Sequence, residues 1–338
     1  MAFIEIPRCH IRAARRSGLA AIAAGLVLLG LASTGHANDK DFATWLQGVR
    51  KEALSRGISQ ATLNTALANV APIPRVIELD HKQPEFTMTF AEYLARVVPE
   101  SRVAKGRQLL DENRQVLEQV SSVYGVQPRF IVALWGIESD FGRLTGDFQI
   151  VPALATLAYD GRRSSYFRGE LMAALKILDL HYIDLPTLRG SWAGAMGQNQ
   201  FMPSSYLRYA VDFNGKGKRD IWHNQADVFA STANFLLHAG WHSDETWGRE
   251  VRLPAGFEPR LADLAVKKPV TEWTALGVKC ADGSPLPEQG LEGSIVLPGG
   301  EGGPAYIVYE NYRAILKWNR SNFFATAAGL LADRIGGR

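Results

Sequence analysis

The sequence predicts a mainly α-helical protein with a small insertion of mixed α/β structure near the C-terminus. Apolar residues recur at helical spacing through most of the chain. Glycine and proline punctuate those segments where helices would start and stop. Between residues 245 and 305 the character changes. Gly and Pro become frequent, and Val251, Leu253, Val270, Val278, Ile295 and Val296 suggest short strands. The implied organisation is an export segment at 1–37, an N-terminal helical region at 38–100 and a helical core at 101–244. The mixed insertion follows at 245–305, and residues 306–338 return to the core.

The start of the chain reads as a cleavable signal. Arg12, Arg15 and Arg16 precede an apolar run from Leu19 to Leu31, and Gly35-His36-Ala37 offers a small-x-small cleavage site before Asn38. The run is shorter than the ~20 apolar residues of a membrane span. A soluble periplasmic protein with no membrane anchor after cleavage is therefore expected. The chain has 37 basic and 34 acidic residues; without the signal 33 of each remain. That balance gives no electrostatic footprint for nucleic acid. Cys9 leaves with the signal, so Cys280 alone can form neither an intrachain disulfide nor a Cys-based zinc cluster.

Taken in order, Trp45, Leu46 and Val49 mark a first short helix and Ile58-Ser59 opens a second, before Pro72 and Pro74 break the pattern. Phe90, Tyr93 and Leu94 share helical offsets. One longer helix from Ser101 would bury Val103, Leu109, Leu110, Val116, Leu117 and Val120 and stop at Gly125. Pro128 opens the next. On that helix Leu134, Trp135 and Phe141 share a face with Glu138, which places an acid inside an apolar stripe. Burial raises a carboxyl pKa above its usual ~4.3. A carboxyl still protonated near neutrality can act as a general acid. The alternative is a partly exposed Glu at a helix end. Asp140 faces elsewhere and is expected in solvent, not as a second catalytic carboxylate.

A loop at 143–147, a short helix at 154–159, the Asp160-Gly161 turn and a helix from Ser164 to about His181 follow. In the stretch Gly190–Tyr206, the small residues Gly190, Ala193, Gly194 and Gly197 permit close approach by a ligand or by backbone. Ser191 and Gln200 supply hydrogen-bonding groups there. Pro203 starts another helix. Asp212 and Asn214 fit the first and third positions of a calcium loop and Gly217 its turn. Lys216 occupies a position that needs an oxygen donor, and His223 stands where a bidentate Glu would close the loop, so a metal-free turn is expected. A helix at 226–240, a last strand at Tyr306–Tyr309, a returning segment at 312–317 and a final helix at 323–335 complete the chain.

Several of these stretches together resemble the B-type lytic murein transglycosylases, over about residues 40–335. They are Trp135-Gly136-Ile137-Glu138-Ser139-Asp140-Phe141-Gly142, Arg162-Arg163 with Tyr166-Phe167, Gly194-Ala195-Met196-Gly197 with Gln200 to Tyr206, the Asp212 loop ending in Ile221-Trp222, and Trp318-Asn319-Arg320-Ser321. The resemblance implies a lysozyme-like helical catalytic domain. It implies cofactor-free cleavage between N-acetylmuramic acid and N-acetylglucosamine in peptidoglycan, leaving 1,6-anhydromuramic ends. Most glycosidases use two carboxylates; here the sugar's own C6 hydroxyl would be the nucleophile and Glu138 would serve as acid and then base.

By the same resemblance, Tyr93, Arg162, Arg163, Tyr166, Ser191, Gln200, Trp318 and Asn319 would line the glycan groove. Arg162-Arg163 as a solvated pair, Tyr93 as a core aromatic and Ser191 as a helix N-cap are the plainer alternatives. Trp318 and Phe235 stand where the family has tyrosines, and Gln198-Asn199 where it has Tyr-Gly. A stacking role for Trp318 would survive that change; a phenol hydrogen bond would not. Calcium at Asp212 and Asn214 would be weak at best. The implied partners are glycan strands, with cell-wall synthesis or divisome proteins as further candidates. A lysozyme-like hydrolase and an inactive peptidoglycan-binding factor are the rival readings.

Overall fold

The computed structural model describes residues 35–81, 88–287 and 290–337. The predicted export segment lies outside them, apart from residues 35–37 in the first turn of the first helix. The helices run α1 (Gly35–Ser55), α2 (Gln60–Ala66), α3 (Pro74–His81), α4 (Phe90–Val97), α5 (Glu100–Glu112), α6 (Arg114–Tyr124) and α7 (Pro128–Ser139). Then come β1 (Phe148–Gln149), α8 (Ile150–Tyr159), α9 (Ser164–Asp179), β2 (Arg189–Gly190), α10 (Pro203–Tyr209) and α11 (Gln225–His238). The C-terminal part holds β3 (Gly248–Arg252), β4 (Lys268–Pro269), α12 (Val270–Ala275), β5 (Lys279–Cys280), β6 (Glu292–Val296), β7 (Ala305–Val308), α13 (Glu310–Trp318) and α14 (Asn322–Ile335).

Local chemistry explains most boundaries. Ser59 caps α2 by accepting from Thr62 N–H, and Thr89 with Glu92 forms a reciprocal capping box on α4. Gly125 ends α6 in the left-handed region, and Pro128 sits in the first turn of α7. Four expectations change. The first helix is long, 21 residues. Pro74 begins α3 instead of only ending a pattern, because a first-turn proline loses no intrahelical bond. The single helix expected from Ser101 is broken at Asn113, whose side-chain amide donates to the Leu109 carbonyl at 2.9 Å and competes with the helical ladder. Val270 opens α12 and is not in a strand; Leu253 and Val278 lie just outside strands.

Two apolar cores form the helical body. One joins α4 to α7 with α11, α13 and α14. The other joins α1, α2 and α3 with α8, α9 and α10. Phe235 and Trp318 pack against both, so they mark the seam between them. A third, smaller core lies under the five-stranded antiparallel sheet, of order β4-β6-β7-β3-β5. β7 is the central strand and pairs with both β3 and β6. The division expected at 305 therefore falls at the start of that strand, and the insertion runs on through Val308. Trp247 ties the sheet to the body. Its carbonyl accepts from Tyr309 N–H at 2.9 Å, its ring lies 6.1 Å from that of Tyr312, and its indole N–H donates to Asp333 Oδ2 at 2.8 Å. No helix of the described residues is long and apolar enough to cross a membrane.

Gly329 of α14 meets that tryptophan. A methyl there would stand 2.7 Å from Cε3 of the Trp247 ring, which is fully buried. Helix propensity alone favours Ala over Gly by ~1 kcal/mol, while overpacking a core costs ~1–3 kcal/mol. Gly329→Ala is therefore expected to lower the thermal unfolding midpoint; an increase in a calorimetric scan would contradict the packing described.

Candidate active site

Every residue of α7 after Pro128 is buried, because neighbouring helices enclose it on all sides. Gly136 lets the chain fold back on that helix: a Cβ there would lie 2.7 Å from Cε1 of Phe141. The chain leaves α7 through Asp140, Phe141 and Gly142, all left-handed, with φ of 49°, 58° and 84°. Two successive non-glycine residues in that region are costly unless the surroundings hold them. Ser139 does so: its hydroxyl donates to Gln198 O at 2.7 Å and accepts from Gly142 N–H at 3.0 Å. Asp140 pairs with Arg143 at 2.7 Å and Arg102 at 3.7 Å, facing away from the interior as expected.

Glu138 precedes this fixed exit and is only 5% exposed. Glu138 does lie at the helix end, but it is buried and not partly exposed. The carboxyl borders a cavity of about 160 Å³ with Tyr166, Ala193, Ala195, Gln200, Phe201, Met202, Ser205, Phe235 and Trp318. Trp318 Nε1–H donates to Glu138 Oε1 at 2.8 Å. The indole packs on Phe201 and Phe235, with ring centroids at 5.2 and 4.8 Å. Burial pushes the carboxyl pKa up to about 7; the Trp318 hydrogen bond opposes the shift.

Of the residues expected in a groove, Tyr166, Gln200 and Trp318 reach this cavity. Gln200 is left-handed, with φ 51°, and its carboxamide N–H donates to Gly197 O and Thr145 O. Ser191 is buried behind the cavity wall. Its hydroxyl accepts from Ala195 N–H at 2.9 Å, which braces the turn carrying Ala193 and Ala195 instead of capping a helix. Arg162 and Arg163 are not in the wall. They meet buried Asp80, at 3.3 and 2.6 Å, and so anchor the turn before α9. Tyr93 lies in the core against Phe323, with ring centroids at 5.6 Å. Asn319 caps α13 and accepts from Ser321 N–H at 3.0 Å, away from the cavity.

At two of the departures the structure shows what the new residues do. Trp318 does more than offer a stacking face, since its indole N–H binds the carboxyl. Gln198-Asn199 is buried structure. Gln198 accepts from Trp135 Nε1–H at 2.8 Å and donates to Trp222 O at 2.7 Å, and Asn199 donates to Val228 O and Thr232 Oγ1. No local pattern marks the bracing roles of Ser139 and Asp80, because Gln198 and Arg163, which they bind, lie more than fifty residues away. Phe201, Met202 and Ser205 lie in the stretch recognised as unusual, but only the fold turns them toward Glu138.

The Asp212 loop carries the features that weaken a calcium site. Asp212 already accepts from Lys216 and Gly217 N–H, at 2.9 and 2.6 Å, Lys216 brings a cation, and His223 lies 3.5 Å from Asp220. Asp80, His81 and Asp160 also cluster, but the two arginines on Asp80 already supply positive charge there.

A sequence model of the family described as "Transglycosylase SLT domain" matches residues 41–333. The chain is 29% identical over 304 residues to membrane-bound lytic murein transglycosylase B of Escherichia coli (strain K12), covering 86% of this chain and 81% of that protein. It superposes on SltB3 of Pseudomonas aeruginosa, solved with NAG-anhNAM-pentapeptide, with a TM-score of 0.85 and 46% identity, over 88% of this chain and 80% of that one. SltB3 has also been solved with NAG-NAM-pentapeptide. The E. coli lytic transglycosylase Slt35, in complex with calcium, matches with a TM-score of 0.75 and 28% identity, over 89% of this chain and 94% of that one.

Because the Glu138 pKa lies above its ordinary value of 4.5, the folded protein keeps a proton between that pH and about 7 that the unfolded chain has lost. Stability from this group is complete below pH 4.5 and is lost as pH rises to 7. Above that, ionised Glu138 costs on the order of 3 kcal/mol. Urea unfolding should find Glu138→Gln close to wild type at pH 4.5 and more stable at pH 8; the same difference at both pH values would contradict the assignment.

Proposed function

The chain belongs to the transglycosylase SLT-domain family and is a lytic murein transglycosylase, and from that premise we propose that it cleaves the MurNAc-GlcNAc β-1,4 bond of peptidoglycan by way of Glu138 alone. Its helical body is lysozyme-like, as in the neighbours it superposes on. Neutral Glu138 gives its proton to the glycosidic oxygen as that bond breaks. The C6 hydroxyl of the same muramyl residue attacks C1, and the Glu138 carboxylate takes the hydroxyl proton. The product is a 1,6-anhydroMurNAc end, and the enzyme returns to its starting state. The attack is intramolecular, so a correctly held sugar removes much of the entropic barrier.

The observation that carries this reading is the isolation of the carboxyl. Among the described residues that line the cavity, Glu138 is the sole acid. Glu170, nearby on α9, is held by Ser204 N–H and Oγ–H, at 2.9 and 2.7 Å. A hydrolase would need a second carboxylate roughly 5–9 Å from the first, to attack or to activate water. We assign sugar contacts to Tyr166, Gln200 and Trp318. The Arg162-Arg163 pair serves by fixing the turn that leads to Tyr166.

The solved complexes of SltB3 with peptide-bearing sugars support a glycan strand as the substrate. We place catalysis in the helical core at 101–244 and export in residues 1–37, which gives a periplasmic enzyme working without a cofactor. Wall-synthesis or division proteins would be its candidate partners there. Digestion of purified sacculi followed by mass spectrometry of the muropeptides tests the mechanism. Anhydro ends are expected, with Glu138→Gln about 10³-fold slower or more. Ordinary reducing ends, or an active Glu138→Gln variant, would overturn it.

A further inference from the structure

We propose that Trp318 is a positioning residue that decides which oxygen of Glu138 carries the working proton: Oε1 is held as an acceptor, so Oε2 is the acid. This rests on the single-carboxyl reading above. The geometry is a 2.8 Å contact from Nε1 to Oε1. An indole N–H can only donate. The carbonyl oxygen of a neutral carboxyl is a better acceptor than its hydroxyl oxygen, so the indole favours the form with carbonyl Oε1 and the hydrogen on Oε2. After the proton leaves, the same N–H faces an anion and the bond strengthens. The donor therefore acts most on the charged state through which the reaction passes.

The indole has little freedom to leave. Phe201 and Phe235 pack on it, and Phe235 and the indole lie at the seam between the two helical cores. A phenol, the group the resembling family carries here, can rotate its O–H and either donate or accept. The tryptophan removes that choice.

The titratable side chains on the elements around Glu138 are engaged elsewhere or neutral. Tyr166 of α9 is the one other titratable side chain lining the cavity among the described residues, and burial pushes its phenol up to about 12. Glu170 of α9 is bound by Ser204 of α10. Beyond the exit of α7, Asp140 faces Arg102 and Arg143. Lys317 of α13 donates to Ala239 O at 2.8 Å, and His238 of α11 lies 2.9 Å from Asn234 O. None of these offers Oε1 a competing donor.

The test combines a spectrum with kinetics. In protein labelled with 15N-tryptophan, one indole N–H resonance should titrate with a midpoint near 7 and become flat in Glu138→Gln. Trp318→Phe keeps an aromatic face but removes the donor. Its kcat should fall about tenfold at nearly constant KM, and the alkaline limb of its kcat/KM profile should move up by about one pH unit. Trp318→Tyr should recover part of both.

If KM alone rises and the pH profile stays put, Trp318 is only a stacking platform and the proposal fails. It fails equally if no indole resonance follows the titration. That spectral result needs only wild type and Glu138→Gln, so it decides the matter even if Trp318→Phe does not fold. An active Glu138→Gln variant would sink the single-carboxyl mechanism instead, leaving the hydrogen bond to be judged by the spectrum.

Discussion

The structure depends on one carboxyl kept out of water with one neutral donor beside it. Burial destabilises the charged form of Glu138 and raises its pKa, and the Trp318 indole, donating to the carboxyl, opposes that shift. Two strong donors would bring the pKa down and leave no proton at neutrality. No donor at all would make the anion that follows proton transfer too costly. Much of the surrounding architecture preserves this intermediate condition. Ser139, Gln198 and the left-handed exit at Asp140 and Phe141 brace the last turn of α7, which carries the buried carboxyl.

The position of the site follows from the division of the body into two cores. α7 belongs to the first, and the turn from Ser191 to Met202 to the second. Phe235 and Trp318 touch both. The cavity at that seam is therefore walled by elements of both cores. The sheet takes no direct part among the lining residues, and Trp247 fastens it to α14 on the far side of the first core. Departures from the family's pattern are absorbed in two ways. At Gln198-Asn199 the change is taken up as buried hydrogen bonding. At Trp318 it alters the chemistry of the carboxyl itself.

The sequence made the buried acid legible because a charged residue in an apolar stripe is a conflict that local spacing can reveal. The helix starts at Pro128 and Pro203 and the stop at Gly125 were readable for the same reason, since each is decided within a few residues. What could not be read depended on partners distant in the chain. Nothing near Arg162-Arg163 announces that Asp80 will neutralise them, and nothing near Tyr93 tells a core ring from a groove ring. The break at Asn113 turned on one side chain competing for a carbonyl. β7 is the last strand in chain order, as expected, but its central place between β3 and β6 rests on register with segments elsewhere in the chain.

The account stands on the ionisation of Glu138 in the intact folded protein. Carbon-detected NMR of protein labelled with 13C at the glutamate carboxyl carbons, with Glu138→Gln to assign the signal, measures it without substrate. A midpoint near 7 is the predicted result. A midpoint at the ordinary value of a solvated glutamate, near 4.5, would show that the carboxyl is ionised at neutrality and cannot be the proton donor this account requires.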